Sequence, residues 1–422
     1  MNMRAQMQGP HASDAIDWQP EDPATLANPY PLFARMREED PCHWSPRLRA
    51  WVLTRYDDVR RVCLDKDLLS SNRLKPFFAT MPPPEAERIS NIIRYLSLWM
   101  VFTDPPDHTR LRRLTARVFS AKSMQAMRPQ VEDIGRWLID RIADRDEFDF
   151  IADYAGPLPC LVIMAMLGVP REHLAEVKRM SDDMALFVGS SRVAAEKYDT
   201  AERATQEMAA FFRDLINRRR AQPTPDLLSE LVHLRGGNDG GDDRLSDDEL
   251  VATCILMLFA GHETTTNHIA NGLRALMRFP SEMARLRADP TLAAAAVEEL
   301  LRYDGPQGAQ VRIVAQPHVL HGKQLEVGQR MFIMLNAANR DPRAYPDPDR
   351  LDLLRDGVPH LTFGFGQHIC LGFPLARTEG EVAFVQVLGR WRAIEPVGDE
   401  PPWINSLVFR GMTRMPVRVK RH

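Results

Sequence analysis

The stretch Phe363–Arg377, FGFGQHICLGFPLAR, constrains the fold more than any other part of the chain. It sets one cysteine, Cys370, among Gly364, Gly366 and Gly372, and a helical apolar pattern follows from Leu371 to about Trp391. Glycine accepts positive φ and lets backbone approach closely, so such a stretch can wrap against something flat. Cys370 then lies at a helix N-terminus, where the dipole and free N–H groups favour a thiolate over a thiol. A thiolate held there is a ligand for a soft or redox metal. The plain alternative is a buried free cysteine beside a glycine-rich turn. A zinc site on His368 and Cys370 is weaker still, because no second Cys/His pair stands at zinc-site spacing.

The next constraint is a long helix. Ser246-x-x-Glu249 is a capping box, with Leu245 and Leu250 placed as its staple. The apolar pattern continues to about Arg278 and stops before Pro280. That predicts roughly 33 residues of helix, about 50 Å long. Its middle reads AGHETTT, Ala260–Thr266. A glycine, a carboxylate and a run of threonines are poor helix-interior choices, each a few tenths to ~1 kcal/mol worse than alanine. A long apolar helix interrupted this way is expected to carry a functional distortion. A solvated polar patch is the bland reading.

Around these two features the chain reads as mostly helical. Residues 1–27 form a flexible, proline-containing arm. A short helix near Pro31–Glu39, a strand at Ala50–Thr54 and a helix at Tyr56–Asp65 follow. Residues 69–103 read as a long irregular apolar stretch, which in a compact domain is usually functional. Asp104–Arg113, DPPDHTRLRR, starts a helix. On it His108 and Arg112 share one face, while Arg110, Arg113 and Arg117 share another. Two basic faces suit two anionic partners, although a solvated charged face would also account for the second. Helical spacing recurs over Met127–Arg145, Tyr154–Leu167, Arg171–Val188 and Val193–Arg220. Gln222–Pro225 and Gly236–Gly241 are loops. A helix begins at Asp289–Pro290 and carries Glu299 and Arg302 three residues apart. Strands are expected at Gln310–Gln316 and Lys323–Leu335, and a β-rich tail at Trp403–Arg418.

Composition closes off several classes. With 422 residues, 44% apolar and 26% charged, the chain can bury a large core. A net charge of −3 and a pI near 6.5 give no global attraction to nucleic acid or anionic membrane. Five scattered cysteines point to a reducing compartment rather than a disulfide framework. The longest apolar run, Val251–Ala260, is too short for a membrane anchor, and the N-terminus lacks an apolar signal core.

The cysteine stretch resembles the ligand loop of the cytochrome P-450 family, Phe-Gly-x-Gly-x-His/Arg-x-Cys-x-Gly continuing to Ala-Arg. Phe363, Gly364, Gly366, His368, Cys370, Gly372, Ala376 and Arg377 match it. AGHETTT resembles that family's oxygen-binding groove, with Glu263 and Thr264 as the acid–alcohol pair. Glu299 and Arg302 match its Glu-x-x-Arg pair. The resemblance covers the chain from about Asn28 and implies one mainly α domain, residues 28–422, a helical bundle with a smaller β-rich lobe. It implies haem b, iron protoporphyrin IX, with Cys370 as axial thiolate. His108, Arg112, Arg312 and His360 are then assigned to the propionates. Phe363, Gly364, His368, Gly372 and Ala260 are assigned to the haem surroundings, and Gly261 to the space left for dioxygen. Residues 69–103 and the turn near Ser406–Phe409 are expected to contact substrate. The implied activity is a haem-dependent monooxygenase that hydroxylates or epoxidises a small apolar organic substrate. Electrons would come from a separate ferredoxin and its NAD(P)H-dependent reductase, with Arg110 and Arg113 as docking cations. A cytoplasmic monomer is expected. The alternatives are a peroxide-using haem-thiolate enzyme and a non-catalytic haem sensor or carrier.

Overall fold

The computed structural model describes residues 16, 18–188, 195–234 and 244–422. The expected glycine-rich loop Gly236–Gly241 and the expected helix start at Val193 lie outside these residues. The long helix spans Asp247–Arg278. Ser246 Oγ accepts from the Glu249 amide at 3.3 Å, and Glu249 Oε2 accepts from the Ser246 amide at 2.8 Å. This is the reciprocal pair that a capping box requires. At the far end Phe279 leaves helical dihedrals (φ −122°, ψ 73°), as a residue before proline favours. Helices Pro157–Met166, Ala195–Ala221, Ala293–Asp304 and Phe373–Arg390 pack around it. That enclosure accounts for apolar residues on nearly every side of the helix.

The expected interruption at Ala260–Thr266 is not found in the backbone, which stays α-helical throughout. The threonines are accommodated by back-bonding instead. Thr264 Oγ1 donates to the Ala260 carbonyl at 2.8 Å, and Thr266 Oγ1 to the His262 carbonyl at 3.0 Å. Such bonds give a mid-helix hydroxyl a partner without unwinding the turn.

The β lobe is a five-stranded sheet. Its spatial order is Cys42–Ser45, Ala50–Leu53, Arg330–Met334, Ala309–Val314, Leu69–Ser70. Ala50–Leu53 runs parallel to Arg330–Met334, and the other pairs are antiparallel. The strand expected over Lys323–Leu335 divides into Lys323–Leu325 and Arg330–Met334, separated by a turn with Gly328 at φ +88°. The C-terminal tail is less regular than expected. Pro416–Lys420 joins Ala393–Pro396 and Glu147–Asp149, but Trp403 and Phe409 make only isolated bridges.

Two expectations fail in the same direction. The stretch 69–103 is not irregular: it forms helices Leu74–Ala79, Pro83–Arg88 and Ser90–Leu96 and a 3-10 turn at Met100–Phe102. The spacing of Ile92, Tyr95 and Leu96, all buried, was a helical signal masked by the prolines before it. Nor is the described part of the arm loose. Trp18 is buried against Phe33 with ring centroids 6.1 Å apart, and Asp22 caps the helix Pro23–Ala27.

Burial on the long helix has a titration consequence. His262 and His268 are 1% and 2% exposed, and burial pushes each pKa down to about 3. Below pH 6.5 the unfolded chain binds protons that the folded chain refuses. Stability therefore falls as pH drops from 6.5 towards 3, by up to ~1.4 kcal/mol per pH unit for each such histidine. Replacing His268 by leucine should reduce the stability lost between pH 7 and pH 5 by about 1–2 kcal/mol. Urea unfolding at both pH values checks this, and an unchanged difference would contradict it.

Candidate active site

The cysteine loop is shaped by two left-handed glycines. Gly364 and Gly366 both have φ +71°. A Cβ on Gly366 would stand 2.3 Å from the Cys63 carbonyl oxygen, so the loop lies directly on helix Tyr56–Leu64. The Cys370 amide donates to the Phe363 carbonyl at 2.8 Å, closing the loop beneath the sulfur. Helix Phe373–Arg390 begins just beyond, with Gly372 as its N-cap. The Cys370 thiol retains accessible surface yet is surrounded by protein, so it faces an interior space. That enclosure raises its pKa. The Gly372 and Phe373 amides and the Arg112 and Arg377 guanidiniums oppose the rise. These are the groups that stabilise a thiolate once a metal replaces the proton.

A basic cluster stands beside the sulfur. The His108 and His368 rings lie 4.1 Å apart, and His368 Nε2 is 2.9 Å from Ser71 Oγ. Burial, then Arg312, His108 and Arg112, push the His368 pKa down to about 2. Burial, then Arg112, lower that of His108. Arg312 donates to Gln310 Oε1 at 3.0 Å and to the Val311 carbonyl at 3.1 Å. Both ring nitrogens of His108 are buried without a partner among the described residues.

On the long helix, Ala260 is exposed and Glu263 and Thr264 are half-buried, although residues on both sides are buried. Positions 260, 263 and 264 share one face, and that face lines an interior space. Gly261 does not. A Cβ there would meet Ile163 Cδ1 at 2.7 Å, so this glycine lets the long helix approach helix Pro157–Met166. The inward small residue is Ala260, which corrects the expectation for Gly261. Burial, then Asp182, raise the Glu263 pKa, and Asn267 Nδ2 is 3.5 Å from its carboxylate.

Glu299 and Arg302 are 5% and 3% exposed and form a two-bond fork at 2.7 and 2.9 Å. Arg302 also donates to the carbonyls of Asn339, Pro348 and Arg350. Glu299 accepts further from the Asp352 amide at 2.9 Å and from Arg355 Nε at 3.1 Å. Arg355 was missed in the sequence, because no local pattern links it to Glu299. A second unforeseen acid, Glu298, takes a two-bond fork from Arg377 at 2.6 and 2.7 Å.

His360 Nε2 lies 3.4 Å from Glu298 but is buried with no hydrogen-bond partner among the described residues, and its ring stands 5.4 Å from Phe363. One assignment moves. Arg110 is not an outward cation. It is half-buried and bonds the Glu249 carboxylate at the capping box. Arg113 is exposed.

Haem would need a soft axial donor, an anion-binding rim and an open face of small side chains. Cys370, the His108–Arg112–Arg312–His368 cluster and the Ala260–Thr264 face answer those needs, and the unpartnered His108 nitrogens point the same way. The comparisons agree. The sequence profile of the cytochrome P450 family matches residues 43–420. The chain is 35% identical over 396 residues to the 6-deoxyerythronolide B hydroxylase of Saccharopolyspora erythraea, covering 92% of this chain and 96% of that one. It is 38% identical over 399 residues to the vitamin D(3) 25-hydroxylase of Pseudonocardia autotrophica, covering 92% and 93%. The structure of myxobacterial cytochrome P450 CYP267B1 in complex with myristic acid superposes with a TM-score of 0.84 at 36% identity, covering 95% and 98%. The chain belongs to the cytochrome P450 family and is a haem-dependent monooxygenase. Its cofactor is protohaem held by a cysteine thiolate. Among the described residues no helix is long and apolar enough to cross a membrane.

Glu299→Ala would leave Arg302 and Arg355 facing each other without their shared acceptor. Removing one partner of a buried pair typically costs ~3–5 kcal/mol. Urea unfolding should show that loss together with low haem content, whereas a loss under about 1 kcal/mol, the range of a surface bridge, would contradict the buried role.

Proposed function

We propose that Cys370 supplies the thiolate and that the enzyme hydroxylates or epoxidises a small apolar organic substrate with dioxygen. The observation that carries this is the Cys370 environment: two backbone amides and two guanidiniums act on one enclosed sulfur. Bound haem would supply the redox chemistry, one oxygen atom entering the substrate and the other leaving as water. His108, Arg112, Arg312 and His360 would hold its acid edge, with His368 beside His108. Phe363, Gly364 and Gly372 shape the loop beneath it, and Glu299 with Arg302 fixes the segment leading into that loop. On the opposite face Ala260 leaves space, and Thr264 holds a proton at its Oγ. Glu263 connects that hydroxyl with helix Leu174–Val188. There Lys178 Nζ and Asp182 Oδ2 pair at 2.6 Å near the surface, and Asp182 acts electrostatically on Glu263. A buried carboxyl with a raised pKa, next to such a pair, can pass protons inward. This acid–alcohol pair favours dioxygen over direct use of peroxide.

The polyketide and vitamin hydroxylases among the relatives support an apolar substrate of moderate size. Electrons are expected from a separate ferredoxin and its NAD(P)H-dependent reductase. Of the two expected docking cations, Arg110 and Arg113, Arg113 is the one exposed to solvent. We read the enzyme as a cytoplasmic monomer.

Cys370→Ala should abolish the thiolate-specific Soret band of the reduced carbon monoxide complex; a variant that kept it would show another residue on the iron. In Thr264→Ala, substrate-induced Soret shifts should persist while NAD(P)H consumption diverges from product, and full coupling would refute the proton role.

Arg113→Glu should slow ferredoxin-driven turnover at low salt, with a smaller effect at high salt, because rim charges act mainly on association. Equal loss of peroxide-driven turnover would mean that Arg113 supports the haem site instead.

A further inference from the structure

Arg73 differs from most of the enclosed arginines. It lies between strand Leu69–Ser70 and helix Leu74–Ala79 and is half-buried. Its guanidinium rests 4.7 Å from the centre of the Phe102 ring. Phe102 stacks on Trp99 at 5.8 Å, and Trp99 meets Phe259 at 5.6 Å. Phe259 immediately precedes Ala260, so this aromatic row runs from Arg73 to the inward face of the long helix.

Several buried arginines elsewhere in the fold have acceptors. Arg302 has Glu299, Arg340 has Asp349, Arg410 has Asp304, and Arg312 has Gln310 and a backbone carbonyl. Among the described residues, Arg73 has no acceptor for its guanidinium. Its charged neighbours are Arg312 and Arg330, both of its own sign. Burial and then these two cations push its pKa down to about 10. A desolvated cation beside like charges is unfavourable until an anion joins it. Retained accessible surface within an enclosing protein shell is also the condition of Cys370 and Glu263, which face the interior. Phe102 lies against the guanidinium, whose planar fork matches the two oxygens of a carboxylate.

We propose that Arg73 is a carboxylate-binding residue of the interior cavity, taking either a haem propionate or the acid group of a substrate. The proposal rests on the haem-thiolate reading above.

The test compares parent, Arg73→Gln and Arg73→Lys holoenzymes. Each preparation first gives its reduced carbon monoxide spectrum. Absence of the thiolate signature in the parent would defeat the haem-thiolate reading itself, separately from the role of Arg73. Two quantities then follow: the rate of haem transfer to apomyoglobin, and the Soret titration with myristate against its methyl ester. If a substrate acid is the anion, Arg73→Gln should weaken myristate binding by about tenfold or more. The ester titration and the haem-transfer rate should then match the parent. If a propionate is the anion, haem transfer should accelerate by about tenfold while the acid-over-ester preference is unchanged. Arg73→Lys keeps the charge without the fork and should fall between parent and Arg73→Gln in whichever quantity moves. It supplies the same two readings if the glutamine variant does not accumulate. Haem transfer and acid-over-ester preference both within about twofold of the parent would overturn the proposal.

Discussion

The Glu299–Arg302 fork holds the haem-binding part of the fold together. Arg302 gathers carbonyls from Asn339, Pro348 and Arg350, and Glu299 gathers the Asp352 amide and Arg355. These partners belong to an irregular segment that has no ladder of its own. Irregular backbone can be buried only if its polar groups find side-chain partners. One ion pair on one helix therefore substitutes for secondary structure over the approach to Cys370. Thr362 adds to this support, bonding the Leu301 carbonyl at 2.7 Å and accepting from Asn339 at 2.8 Å.

Above the cysteine, the long helix serves two surfaces at once. Gly261 faces Ile163, and a side chain there would push two helices apart. Ala260 and Thr264, nearly a turn apart on the other side, face the interior. Thr264 keeps a bond to the Ala260 carbonyl, so its hydroxyl is held in place before any ligand arrives. Preorganisation of this kind lets one hydroxyl act on a proton without first reordering the site. Glu263, the residue before Thr264, is acted on electrostatically by Asp182, which pairs with Lys178.

The cations sort by their partners. Arg377 neutralises Glu298 and Arg110 ties the Asp107–Val118 helix to the capping box. Arg112 lies near Cys370, close enough to favour its thiolate. Arg312 and the His108–His368 pair cluster with Arg112, and Arg73 has Arg312 and Arg330 as its charged neighbours. Reading a cationic site thus depends less on where the arginines are than on which already have acceptors.

Much of this was legible from spacing. The capping box and the proline at 280 bounded the long helix nearly to the residue, because caps and breakers act locally. Gly364, Gly366 and Cys370 marked the loop for the same reason, since left-handed backbone is a property of single residues. Tertiary structure decided what local chemistry cannot hold. No pattern relates Glu299 to Arg355, 56 residues away, or Glu298 to Arg377. Nothing in AGHETTT distinguishes the residue that faces Ile163 from the one that faces the cavity, because which side of a helix is inward depends on what packs against it. The stretch 69–103 was misread for the opposite reason. Its prolines suggested irregularity, yet at the first turn of a helix a proline forfeits no hydrogen bond, and only burial of Ile92, Tyr95 and Leu96 against the core reveals the helix they share.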